Sequence, residues 1–177
     1  ADRIICIGTV KSMWDGMYNK FVNDDPDSVW EKLYTFSENS SHKTEITKAD
    51  FIQDIFKDTL IDPVLIKYGL NKEENEFNIM QLFKIEKLLK NGDELYIDIT
   101  HGFRSMPIVL VNVLSFLVDN MDVDVKIAKI SYGMFEVSHE MGGNTPIVDL
   151  DVLLELQENT KASHEFSEFG NAYIYAN

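Results

Sequence analysis

The chain has 177 residues, 45% of them hydrophobic and 11% aromatic, with a net charge of −14. That is enough apolar material for one full core and too much for a disordered chain. The acidic balance excludes tracking along a DNA duplex, which needs a broad basic surface, and with only two arginines, Arg3 and Arg104, any anion site must be local.

Arg3-Ile4-Ile5-Cys6-Ile7 is a short apolar run of the kind a parallel strand needs. It leads into a corner, Gly8 to Asp15, where Ser12 and Asp15 have roughly the spacing of a capping box. Met13, Trp14, Met17, Tyr18 and Phe21 then recur at helical spacing and predict a mostly buried stripe. An acidic turn around Pro26 separates this helix from a second, starting near Asp27 and carrying Val29, Trp30, Leu33, Tyr34 and Phe36. A polar loop from Ser37 to His42 follows, and Thr47 is the expected cap of a helix with Phe51, Ile52, Ile55 and Phe56 on one face. Leu60 to Lys67 reads as a strand that Pro63 confines to an edge or a strand start.

The next helix opens at Lys72 with Glu73, Glu74 and Glu76 at its positive end, and Asn91-Gly92 closes it. Glu94 to Ile97 is predicted to be a buried strand, and Ile108 to Val118 a helix apolar on nearly every face. In Asp124 to Tyr132, Val125, Ile127 and Ile130 interleave with Lys126 and Lys129, another strand, with Ser131-Tyr132-Gly133 expected to form a loop at its end. Thr145 to Val148 reads as a short strand and Leu150 to Phe169 as a last helix ended by Gly170. Alternating strands and helices predict an α/β three-layer fold with a mostly parallel sheet. The apolar run before Asp119 is too short to span a bilayer and no signal peptide precedes the first strand, so the expected location is cytoplasmic, with no membrane partner. Cys6 stands alone, which excludes a disulfide framework and predicts a buried structural thiol.

Chemistry concentrates in Asp98-Ile99-Thr100-His101-Gly102-Phe103-Arg104-Ser105-Met106-Pro107, polar residues between two apolar elements. Gly102 permits a sharp turn through a positive φ, Ser105 is a candidate N-cap, and Pro107 suits a first helical turn. A helix start with free N–H groups and the Arg104 guanidinium attracts phosphate. The plainer reading is that Asp98 and His101 only brace the turn. Corners at Gly8-Thr9, Asp98 to Arg104 and Tyr132-Gly133 are expected to converge on one crevice, since ligands of open α/β sheets bind beyond the carboxyl ends of strands. A dinucleotide fingerprint, a P-loop, a serine elbow and paired zinc histidines are all lacking, so no cofactor and no metal site is predicted.

Asp98-Ile99-Thr100-His101-Gly102-Phe103-Arg104 resembles the signature of the DxTHG-motif proteins, a branch of the CARF (CRISPR-associated Rossmann fold) sensors. Gly8 to Asp15, Ile130 to Gly133 and Pro146 to Leu150 are similar to further stretches of that family. The resemblance implies a Rossmann-like homodimer that binds cyclic tetra- or hexa-adenylate in type III CRISPR defence and regulates an effector. Its site residues would be Asp98, Thr100, His101, Gly102 and Arg104, with Gly8, Thr9, Ser12, Tyr132 and Gly133. The implied organisation is a sensor domain over 1–150, lacking the family's first strand, and a helix over 151–177 resembling a connector to an effector domain. The ribonuclease motif of such effectors is absent from this sequence. Two alternatives accompany this expectation. One is a metal-independent ring nuclease, with His101 as general acid or base and Arg104 stabilising the phosphorane; the other is a generic nucleotide-binding α/β domain.

Overall fold

A computed structural model of the chain describes residues 3–22, 27–102 and 105–169. The expected turn around Pro26, the helix stop at Gly170 and Arg104 lie outside these residues. Strands and helices alternate as the sequence predicts: β1 (Ile4–Gly8), α1 (Trp14–Phe21), α2 (Asp27–Asn39), α3 (Asp50–Phe56), β2 (Ile61–Leu65), α4 (Lys72–Phe83), β3 (Glu94–Asp98), α5 (Met106–Asn120), β4 (Lys126–Gly133), β5 (Ile147–Asp149) and α6 (Val152–Phe169). The class is mixed α/β of the Rossmann-like kind, with β1 parallel to β2, β3 parallel to β4, and β5 antiparallel to β4. Described residues up to Leu89 with residues 105–119 form one unit; Lys90–Gly102 with the described residues from Asn120 onward form a second.

In the first unit, Val10, Trp14, Tyr18, Leu33, Ala49, Ile52, Phe56, Ile61 and Leu65 make a buried cluster. Phe56 is its pivot, with the Trp14 ring 6.4 Å and the Tyr18 ring 6.0 Å away in tilted and edge-on arrangements, geometries that aromatic quadrupoles favour. The stripe of α1 is narrower than predicted, since Met13 and Phe21 are exposed. So are Trp30 and Tyr34 of α2, which stack face to face at 5.1 Å. Leu60 accepts from the Ile4 N–H and Ile66 donates to the Gly8 carbonyl, so the even-numbered residues of β2 face β1. Pro63 therefore has its missing N–H on the side away from the ladder, which is why a proline is tolerated mid-strand. Arg3 and Asp62 tie the two strands together by an ion pair.

Two expected caps are replaced. The hydroxyl of Ser12 accepts from the Thr9 N–H at 2.9 Å, leaving α1 without a side-chain cap at Met13. Thr47 lies inside a 3₁₀ turn, Ile46–Ala49, that precedes α3, and neither element has a side-chain cap. The N-terminus of α4 is capped by Asn71, which accepts from the Glu74 N–H at 2.8 Å. Within α4, Asn78 is fully buried and bonds both the N–H and the carbonyl of Lys67, at 2.7 and 3.0 Å. A buried amide bonded in both directions fixes the chain after β2.

The helix α5 is not buried all round: Ile108 and Phe116 are 67% and 54% exposed, and Asn112 lies between them at helical spacing, while Leu110, Val111, Val113, Leu114 and Leu117 are buried. Strand β3 likewise alternates instead of being buried throughout, with Ile97 buried and Glu94, Tyr96 and Asp98 exposed. Among the described residues no helix is long and apolar enough to cross a membrane.

Cys6 is half-buried, and burial, with the Asp62 carboxylate second, pushes its thiol up to about 11. Alkylation of Cys6 in the folded chain is expected to be very slow at pH 8 and to accelerate only toward pH 11, read from iodoacetamide labelling rates. A rate like that of a free thiol at pH 8 would contradict this environment. Gly8 sits where a Cβ would lie 2.7 Å from the Trp14 ring and 2.8 Å from the Ser12 hydroxyl. Gly8→Ala is therefore expected to destabilise the first unit by about 1–3 kcal/mol, the usual cost of overpacking, measured by urea unfolding.

Candidate functional site

The polar geometry of the motif lies at the end of β3. The register pairs Asp98 with Ser131, and the Ile99 N–H continues the ladder to the Ser131 carbonyl at 3.0 Å. Strand β4 runs two residues farther, to Gly133. There the Gly133 N–H donates to the hydroxyl of Thr100 at 2.7 Å, so a side-chain oxygen stands in for the next backbone acceptor. Asp98 accepts from the Thr100 N–H at 2.8 Å and shapes the turn that delivers the hydroxyl. A Cβ on Gly133 would lie 3.0 Å from the Thr100 methyl, so this close approach requires glycine or a displaced threonine.

On its other edge β4 is paired with β5, Tyr132 opposite Val148 and Gly133 opposite Ile147. Ser131-Tyr132-Gly133 is thus strand, not the loop expected from sequence, because both of its neighbours supply partners. A bulge between Leu95 and Tyr96 leaves Ala128 without a partner; this is why the apolar spacing of β4 changes from two, Val125 to Ile127, to three, Ile127 to Ile130. Lys129 and Asp149 pair at 2.8 Å across β4 and β5. That hydrogen bond, followed by the backbone bond from Asp151, lowers the Asp149 carboxyl below its ordinary value. Tyr132 donates to Glu136 at 2.6 Å, which raises its phenol.

Beyond Thr100, His101 and Gly102 are exposed. Gly102 does not adopt a positive φ; among the described residues the glycines that do are Gly69, Gly92, Gly142 and Gly143, so the turn is made by the Asp98–Thr100 bond instead of by a left-handed glycine. The imidazole of His101 lies 5.4 Å from the ring of Phe135, centroid to centroid, with 30° between the planes. Phe135 opens the 3₁₀ turn Phe135–Val137 after β4. Sequence reasoning stopped at Gly133 and missed it, although an aromatic two residues past the end of the predicted strand and loop was the available signal.

Asp98, Thr100, His101, Gly102, Tyr132 and Gly133 are therefore gathered in the second unit. Gly8, Thr9 and Ser12 belong to the first, where they form a network of their own. Gly8 and Thr9 are buried; the Thr9 hydroxyl accepts from the Lys11 N–H at 3.2 Å, and the Thr9 carbonyl accepts from the Trp14 indole at 2.9 Å. Arg104 and Phe103 lie outside the described residues. Ser105 precedes α5 and its carbonyl accepts from Val109, with Pro107 in the first turn as expected. Among the described residues no group of three His, Cys, Asp or Glu side chains has metal-binding geometry.

Residues 4–135 match the family model described as CRISPR system endoribonuclease Csx1, CARF domain. The chain is also similar to CRISPR-associated protein MJ1674 of Methanocaldococcus jannaschii, at 31% identity over 189 residues. The match covers 98% of this chain and 29% of that relative, so the chain spans less than a third of the relative's length.

The Thr100–Gly133 bond can be tested without any ligand. Thr100→Val removes the acceptor and leaves a buried N–H unpaired, for an expected cost of about 1–3 kcal/mol and faster amide exchange at Gly133. Thr100→Ser should restore both. Equal stability of the valine variant would show that the hydroxyl is dispensable to the loop.

Proposed function

The chain belongs to the CARF-domain family of CRISPR-associated proteins, and on that premise we propose that it is a type III CRISPR sensor domain that binds cyclic oligoadenylate. The observation that carries the reading is the division of labour in the loop after β3. Asp98 and Thr100 are committed to holding the loop, while His101 and Gly102 are held exposed beyond it. A phosphodiester has use for such groups: an imidazole N–H, loop N–H groups, and the guanidinium of Arg104, which forms bidentate bonds to phosphate oxygens. Asp98 accepts from the Thr100 N–H and is assigned to shaping the turn.

In this reading two copies of the chain face one ring, each contributing the same loop, because a cyclic ligand with repeating units suits a two-fold interface. Residues 1–150 are the sensor, and 151–177 the connector that passes the ligated state to an effector domain. Gly8, Thr9 and Ser12 of the first unit are further candidate ligand-binding residues in the same proposal. Local donors matter here because the chain as a whole carries −14 and opposes any anion at long range.

The test incubates the full chain with cyclic tetra- and hexa-adenylate, without metal, and follows both binding and products. One ring bound per two chains is expected, with Arg104→Ala weakening it by about 1.5–3 kcal/mol, the usual worth of a hydrogen bond to a charged group. Failure to bind either ring would overturn the proposal. Linear products that disappear in His101→Ala would replace the sensor with a ring nuclease.

A further inference from the structure

Phe135 is not among the buried core residues and is not part of the polar loop, yet its ring stands beside that loop's His101. It is 53% exposed, and among the described residues its ring neighbour is the imidazole of His101. The short turn that carries it is tied down on every side. Gly133, two residues before, donates to Thr100; Met134 donates to the Pro146 carbonyl at 3.0 Å; Glu136, one residue after, accepts from Tyr132; and the Phe135 carbonyl itself accepts from Ser138 at 3.1 Å. An exposed aromatic ring is usually mobile, but this one sits on a backbone locked to the motif loop. The bond from Gly133 to Thr100 joins the residue two before Phe135 to the residue just before His101, so the backbones that carry the two rings are held together.

Building on the cyclic oligoadenylate reading, we infer that Phe135 is the stacking platform for an adenine base of the ring, with His101 at its edge turned to the neighbouring phosphate. The chemistry separates the two parts of the ligand. Phosphates need donors, which His101 supplies; the bases need a flat apolar surface, and Phe135 supplies one beside it. A base stacked on an aromatic ring is held through its π-face. Phe135 therefore favours large purine surfaces over pyrimidines without reading their edges.

The test measures affinity of the full chain for whichever of cyclic tetra- and hexa-adenylate it binds, and for the uridylate ring of the same size, by calorimetry. Phe135→Ala and Phe135→Leu are each expected to lose about ten- to a hundredfold in affinity for the adenylate ring, and Phe135→Trp to keep it. The preference for adenylate over uridylate should shrink in the alanine and leucine variants. Because the side chain is mostly exposed, melting temperatures of all three should match the unsubstituted chain; the leucine variant keeps the apolar bulk and separates stacking from simple cover. Unaltered adenylate affinity in Phe135→Ala or Phe135→Leu overturns this inference and leaves the sensor reading standing. An unsubstituted chain that binds neither ring overturns both.

Discussion

The loop after β3 depends on one constraint: β4 is longer than the strand it pairs with. Parallel strands that end together leave their loops to find their own conformations. Here β4 continues to Gly133 after β3 has stopped at Asp98, and its buried N–H must be satisfied. The Thr100 hydroxyl meets that need, and in doing so fixes where the next residue, His101, emerges. The aspartate, the threonine and the distant glycine are then parts of one arrangement. Asp98 sets the turn, Thr100 reaches across, and Gly133 has no side chain to obstruct it.

Electrostatics shapes what remains available. The carboxylates nearest the loop each have a partner: Asp98 an N–H, Glu136 a phenol, Asp149 an ammonium. A neutral N–H or phenol leaves a carboxylate its full charge and favours the ionised form, so of these three only the Lys129 ammonium offsets the charge it meets.

Much of this was legible beforehand. Runs such as Ile4 to Ile7 and Glu94 to Ile97 announce strands by composition, whereas the spacing of Ile127 and Ile130 was read as plain alternation and shows itself as a bulge only in the pairing with β3. The motif itself was visible as polar residues between apolar elements. What was not legible depends on who lies opposite whom. Ser12 looked like a helix cap because local spacing allowed it, but the Thr9 N–H reaches its hydroxyl first. Asn78 carries no signal in the sequence, and only the passage of Lys67 beside it makes it a buried bonding partner. The Thr100–Gly133 bond joins residues 33 apart, and no local pattern reveals a register of that kind. Phe135 went unnoticed for the same reason, as its importance comes from standing next to His101.

Strand β4 also holds the root of α6. Ile130 accepts from the Leu150 N–H and donates to the Asp151 carboxylate, at 2.9 and 2.8 Å, immediately before the helix begins at Val152. The residue gripping the helix is thus three positions along the same strand from the residue gripping the motif loop. An 18-residue helix is about 27 Å long, so each degree of tilt at its base carries the far end by about half an ångström. In mechanical terms α6 is a pointer mounted on the strand that carries the loop's anchor: displacements too small to alter any bond near Thr100 become displacements of atomic size at the other end.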